Sequence, residues 1–405
     1  MVALALTSEQ WRIVSAVIAC VLIEGIDLQI LGFAAPALLA DWHLTKAAFA
    51  SAMGASLLGM AVGAPISGRL ADGLGRRPLV IACLGLLGGF TALTAFAVNV
   101  GQIALLRLCA GLCFGAILTN APILAAEWMP KSLQDQTVAL VVVGTPVGGM
   151  LGAAAASWVI PNLGWRAAFI GGGVLPCLAA VCLRKLVQES PQFLAARSSG
   201  NATAGIVSKL IGLEYLRSTA GVCLAFGANL AIAYAFFSWV PTLLVTIGVP
   251  LAAAIRGLLY FNLCGALMAV VASRLIARTG LKPFLIVAAA VGMAALLCLA
   301  MLLNRAPVLV TSAPWILALL LSLIGAANVA AQAVLFSLAA RIYPVQYRAT
   351  GMGLAGSAGR WGGLCSSVAG GPILGLAEGP IVFLALNALL FLVTATGVAL
   401  VDRQT

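Results

Sequence analysis

Long apolar runs alternate with short polar interruptions along nearly the whole chain. Twelve such runs stand out, near 11–38, 45–70, 78–98, 101–128, 136–160, 165–186, 215–246, 252–277, 282–303, 312–340, 346–373 and 378–401. A helix needs about 20 residues to cross a hydrocarbon core roughly 30 Å thick, so each run is long enough to span. Barrel strands would be about half as long, and only a helix satisfies its own backbone inside so many separate apolar segments. The pattern therefore predicts an all-α membrane protein with twelve transmembrane helices. Its longest polar interruption, Arg184 to Arg217, parts six spans from six. That places an N-terminal six-helix bundle at 1–190, a central loop on the cytoplasmic side at 191–214 and a C-terminal six-helix bundle at 215–405.

Composition narrows the class. The 405 residues are 63% hydrophobic and 8% charged, against roughly 25% charged in a soluble domain. So few charges cannot cover a water-facing surface, which excludes a soluble enzyme, a disordered chain and a nucleic-acid-binding domain. The net charge of +11 comes without any basic run. With both termini in the cytoplasm, 16 of the 22 Lys and Arg lie at cytoplasmic span ends. Four lie outside (Lys46, Arg166, Arg256 and Arg305), and Arg107 and Arg360 fall within spans. This asymmetry sets the orientation in a plasma membrane. The start of the chain lacks a basic n-region and an evident cleavage site, so its first apolar run reads as a retained span. The ten cysteines sit in apolar stretches without a CxxC pair, and His43 is the one histidine. No metal site, cofactor or catalytic cluster is expected, and the chain is expected to act as a monomer.

The two halves echo each other. A shift of 205 residues matches Pro36 with Pro241, Arg69-Leu70 with Arg274-Leu275, Gly75 with Gly280 and Pro78 with Pro283. Further on, a shift of 214 matches Pro130 with Pro344 and Gly148-Gly149 with Gly362-Gly363. Two facing six-helix repeats are the architecture of a carrier that rocks about a site at the bilayer midplane.

Ionisable residues inside spans cost roughly 2.5–3.5 kcal/mol each on insertion scales, so they are functional candidates. Here they are Glu24 and Asp27 in span one, Arg107 in span four and Arg360 in span eleven. Glu24 and Asp27 are three apart and share a helix face. Two carboxyls so close in a poorly solvating medium are suited to hold a proton near neutral pH. Arg107 is the expected partner of Asp27, paired when the acid is ionised and released when it is protonated. Arg360 has no acid in its own span, and its fork matches a carboxylate. It is the candidate anchor for a substrate carboxylate. Tyr234 and Phe237 on span seven, Asn328 and Gln332 on span ten, and the mid-span Gln29 and Asn120 could line the same cavity. Aromatic rings there could stack on a substrate ring while amides read its polar groups.

Local motifs resemble those of a known family. Gly68-Arg-Leu-Ala-Asp72-Gly-Leu-Gly75-Arg76-Arg77-Pro78 resembles the loop signature of the major facilitator superfamily. In that resemblance Gly68, Asp72, Gly75, Arg76 and Arg77 form a conformational lock, degraded in the second half, where Ala277 replaces the acid. Arg107, Gly111 and Gly115 resemble the superfamily's arginine–glycine motif, and Gly144-Thr-Pro146-Val-Gly148-Gly149 partly resembles its antiporter motif. Glu24-Gly25-Ile26-Asp27-Leu28-Gln29, continuing to Pro36-Ala37-Leu38, resembles the first-span signature of the aromatic acid:proton symporters. Asn120 to Pro130 with Glu127, Tyr343-Pro344 before Arg348-Ala-Thr-Gly351, and Gly359-Arg360-Trp361-Gly362 match as well. Glu24 stands where that family usually has aspartate, as in its hydroxyphenylpropionate branch. The resemblance implies import of an aromatic carboxylate of benzoate, hydroxybenzoate or hydroxyphenylpropionate type with protons, across a bacterial inner membrane. A symporter of another organic anion, such as a dicarboxylate, and a proton-coupled multidrug exporter are the competing readings. A membrane sensor would carry a larger soluble domain than any loop here.

Overall fold

A computed structural model of the chain describes residues 7–130, 133–189, 213–342 and 345–401. All regular secondary structure among them is helical. The first half holds α1 (Ser8–Asp41), α2 (Lys46–Leu74), α3 (Arg76–Thr94), α4 (Val100–Glu127), α5 (Gln134–Leu163) and α6 (Trp165–Leu186). The second holds α7 (Leu213–Thr246), α8 (Leu251–Thr279), α9 (Leu281–Arg305), the short α10 (Pro307–Ser312), α11 (Pro314–Ile342), α12 (Val345–Leu374) and α13 (Gly379–Leu400). Eleven of these helices are long and apolar enough to cross a membrane. The twelfth long helix, α12, is diluted by glycines, serines and Arg360, and it packs against α7 and α2.

Local chemistry sets the boundaries. Thr7 and Gln10 form a capping box at the start of α1, so two otherwise orphaned N–H groups are satisfied. Asn99 caps α4 by accepting from the Gln102 N–H at 2.9 Å. Gly75 ends α2 at φ 99° and Gly280 ends α8 at φ 84°, a region costly for any residue with a Cβ. These two glycines are the pair matched by the 205-residue shift. The same shift carries the limits of α1 onto α7 and those of α2 onto α8. After α9 the offset grows to 214, which carries α6 onto α13. The change of offset coincides with α10, a helical turn and a half with no counterpart in the first half. At six residues it is too short to register as a span.

Within the first half, α2 and α4 touch backbone to backbone. A Cβ at Gly59 or Gly63 would strike α4 main-chain atoms near Leu108 and Leu112. One at Gly111 or Gly115 would strike α2 near Ser56 and Met60. The glycines of the arginine–glycine motif thus bring α4 close enough to α2 to fix where Arg107 sits.

The halves meet through α1 with α7 and α8, α2 with α12, and α5 with α8. Both described ends of the chain lie on one face, here called the terminal face. Cross-half contacts gather toward the other, far face. Lys46 donates to the Leu374 carbonyl at 3.0 Å, a cation on the last turn of α12. Gly371 lies against the Lys46 carbonyl and Ala50, and Gly32 against the Phe237 carbonyl. Toward the terminal face, no described residue lies beside Gly68, Gly353 or Gly356. The halves are therefore sealed at the far face and spread at the terminal face.

Candidate functional site

A cavity of about 430 Å³ lies between the halves. Its lining residues on α5, α8 and α12, such as Val142, Ala269 and Gly356, lie on the terminal-face side of the seal. Most of the wall is apolar, from Leu28 and Met60 to Val329 and Phe336. Polar groups enter from Gln29, Thr119, Thr145, Tyr234, Asn328, Gln332 and Arg360. Of the sequence candidates for substrate contact, Gln29, Tyr234, Phe237, Asn328, Gln332 and Arg360 all line it. Asn120 does not. Its amide donates to Ser67 Oγ at 3.1 Å and to the Ala116 carbonyl at 2.8 Å, tying α4 to α2. Tyr234 and Phe237 stand edge to face with centroids 6.0 Å apart, and Phe237 meets Phe261 the same way at 5.8 Å. This aromatic corner presents ring faces and edges to one side of the cavity.

Arg360 is the one cation among the described lining residues. Among the described residues it makes no salt bridge. Nearby amides are engaged with one another. Asn229 donates to Gln332 Oε1 at 2.8 Å and to the Asn328 carbonyl at 3.2 Å. Asn328 returns a bond to the Asn229 carbonyl at 2.8 Å and to its Oδ1 at 3.1 Å. This network binds α7 to α11 and fixes the two cavity amides. Asn229 was not a sequence candidate, although a lone asparagine in an apolar span is itself a signal.

The acids of α1 lie behind the cavity wall. Asp27 is 5% exposed and Arg107 1%. Arg107 Nη1 donates to both Asp27 oxygens at 3.4 Å. Thr91 closes the ring: its hydroxyl donates to Asp27 Oδ1 at 2.6 Å and accepts from Arg107 Nη2 at 2.7 Å. Thr94 accepts a longer bond from Nη2 at 3.4 Å, and the guanidinium lies 5.6 Å from the Phe169 ring centroid. Thr91 and Thr94, three apart on α3, supply the missing partners, and sequence reasoning did not select them. Leu28 and Met60 line both the main cavity and the small void beside Asp27, so one layer of side chains separates the two.

Glu24 is different. It is wholly buried, and among the described residues neither carboxyl oxygen has a hydrogen-bond partner. Asp27 lies one turn away in α1. Tyr234, on α7 across the half interface, lines the cavity together with Arg360.

In the loop motif, Gly75 adopts the turn that its residue type permits. Arg76 pairs with Glu127 at 3.2 Å, and Arg77 Nη2 donates to the Arg184 carbonyl at 2.7 Å. Both arginines are thus tied within the first half. The side chain of Asp72 lies outside the described residues, as do the central loop at 191–212, Tyr343, Pro344 and the side chain of Arg348. Trp165 is buried and donates to Asp41 Oδ2 at 3.0 Å.

The sequence model described as Major Facilitator Superfamily matches residues 17–367. A gallate transporter of Pseudomonas putida is 31% identical over 399 residues, covering 91% of this chain and 86% of that one. The 4-hydroxybenzoate transporter PcaK of Pseudomonas aeruginosa is 32% identical over 404 residues, covering 92% of this chain and 88% of that one. Among solved structures, a D-xylose-proton symporter shares the fold with a TM-score of 0.75 at 16% identity, covering 95% of this chain and 97% of that one.

Proposed function

Because this chain belongs to the Major Facilitator Superfamily, we propose that it is a secondary active transporter importing an aromatic carboxylate with protons by alternating access. The observation that carries this reading is Arg360, a guanidinium without a salt bridge among the described residues, in a mainly apolar cavity between the halves. Such a group is poised for an anion, and its fork suits a carboxylate. Tyr234, Phe237 and Phe336 supply aromatic surface beside it, which suits a ring on the same ligand. A dicarboxylate would call for a second cation, and Arg360 is the one cation among the described lining residues. The similarity to gallate and 4-hydroxybenzoate transporters points the same way.

Proton coupling falls to Glu24, Asp27 and Arg107. Asp27 is held by Arg107 and Thr91. Among the described residues Glu24 has no cation and no donor, and an ionised carboxyl so placed would cost several kcal/mol. Glu24 therefore carries its proton here. Substrate charge neutralises Arg360 and protons neutralise the acids, so the loaded carrier can reorient with its buried charges compensated. A monoanion with one proton crosses without net charge, whereas a second proton would add about 2.3 kcal/mol per 100 mV.

The terminal face is the cytoplasmic face of a bacterial inner membrane, which puts both termini in the cytoplasm and makes the described conformation inward-open. The N-terminal bundle ends near residue 190 and the C-terminal bundle begins near 215. The chain works as a monomer, without cofactor. In the opposite state, Gly68 with the arginine loop closes against the α12 surface at Gly353 and Gly356. Uptake into proteoliposomes under an imposed pH gradient tests the reading, with benzoates, hydroxybenzoates, phenylpropionates and dicarboxylates as the panel. Gradient-driven uptake of aromatic monocarboxylates is expected, and preference for a dicarboxylate would overturn the substrate class.

A further inference from the structure

The cavity has a ceiling made of two amides, one from each half. Gln29 of α1 donates through Nε2 to Asn262 Oδ1 at 3.3 Å. Asn262 of α8 returns a bond from Nδ2 to Gln29 Oε1 at 3.0 Å. Both residues are buried, at 1% and 0% exposure. Asn262 also donates to the Leu258 carbonyl of its own helix at 2.8 Å. Both its amide hydrogens and its oxygen are therefore engaged, and its rotamer is fixed. Gln29 keeps one N–H and one lone pair beyond the pair. Gln29 lines the cavity, and Asn262 stands just beyond it on the far-face side. Gly149 of α5 completes the seal: a Cβ there would occupy the place of the Gln29 amide and crowd Asn262 Nδ2.

We propose that Asn262 is a positioning residue for transport, which withdraws the Gln29 amide from the substrate as the far-face gate closes. The proposal rests on the transporter reading above. For the far face to open, α1 must part from α8, and this reciprocal pair must break. Gln29 is then free to offer a donor and an acceptor to a polar group of the incoming substrate. When the gate closes, Asn262 takes those groups back. The substrate loses a contact as the terminal face opens, which favours release on that side. Closure and release are thus joined by an exchange of hydrogen bonds at one side chain. The pair carries no charge, so its strength does not follow pH, and the proton and gate functions reside in different groups.

Each net hydrogen bond is worth about 1 kcal/mol, so losing the clasp shifts the gate equilibrium about fivefold or more. The reporter is a cysteine at Ala50, which is buried in the far-face seal against Gly371. A membrane-impermeant maleimide applied to the far face labels it only when the gate opens. The parent protein, with its ten native cysteines, gives the background. Asn262→Leu is expected to raise reporter labelling about fivefold, to lower the KM for external substrate and to lower the maximal uptake rate. The exchange variant Gln29→Asn/Asn262→Gln keeps the summed side-chain length and is expected to restore labelling toward the parent, unlike Gln29→Asn or Asn262→Gln alone. Unchanged labelling in a folded Asn262→Leu protein would overturn the proposal. If Asn262→Leu does not fold, the two single exchanges compared with the double decide it, and a double no better than either single overturns it. The labelling needs no substrate. A protein that transports no aromatic acid yet shows the labelling pattern keeps the gate and loses the substrate reading.

Discussion

The two halves solve the problem of polar groups in a membrane in opposite ways. The first half buries full charges, Asp27 and Arg107, and satisfies them with Thr91 and with each other behind the cavity wall. The second half uses neutral amides, Asn229, Asn328 and Gln332, and leaves its one cavity charge, Arg360, without a salt bridge among the described residues. A satisfied ion pair is a structural device or a slow switch, whereas an unsatisfied cation beside open space is a receptor. Glu24 breaks the symmetry within the first half, being buried and, among the described residues, unpaired. On the proposed reading, proton handling falls to the first half and anion recognition to the second.

The largest expected effect comes from separating the two acids. Asp27→Asn leaves Arg107 buried without a counter-charge and should destabilise the protein by about 3–5 kcal/mol. Thermal unfolding in detergent would show the drop, and any protein that survives should lose proton-driven accumulation while keeping counterflow. Glu24→Gln replaces a neutral acid by a neutral amide, so its melting temperature should hardly move while accumulation is abolished. Equal destabilisation by both variants would erase the distinction drawn between the acids.

Arg360→Ala should weaken carboxylate binding by about 2–5 kcal/mol. Arg360→Lys keeps the charge but loses the fork, and should cost about tenfold or more in affinity. Titration of the purified protein with an aromatic acid reads both. Wild-type affinity in the lysine variant would move the carboxylate elsewhere. Smaller again is Thr91→Val, which removes the hydroxyl shared by Asp27 and Arg107 and should cost about 1–3 kcal/mol of stability. Gly68→Leu should have the smallest effect on stability, because no described residue lies beside Gly68 in this state. It should nevertheless slow uptake by blocking closure of the terminal face, and normal turnover in that variant would place the closing surface elsewhere.

The sequence made depth in the membrane easy to read and facing direction hard. The limits of α6 coincide with the apolar run at 165–186, and the α1 limits recur in α7 at a constant offset. Hydrophobic length sets those boundaries directly. Facing direction needs a polar side, and α4 is apolar nearly all round, so nothing in its pattern revealed that Asn120 turns toward Ser67 of α2. Tyr234 and Gln332 were found because they sit with other polar or aromatic residues on one helix side. Thr91, Asn229 and Asn262 stand in mainly apolar spans, and their importance arises from a partner distant in sequence: Asn262 bonds Gln29 across 233 positions. No local spacing encodes such a pair. The short α10 escaped for another reason, since six residues carry too little hydrophobic pattern to separate a turn of helix from a loop.

Parallel recording of labelled hydroxybenzoate and internal pH in proteoliposomes tests the division of labour most directly. An inward proton gradient should drive accumulation of the acid, and substrate should drive proton entry at a fixed ratio. Glu24→Gln should uncouple the two fluxes, and Arg360→Ala should silence both. Concentrative, proton-linked uptake in Glu24→Gln at the wild-type ratio would contradict the account.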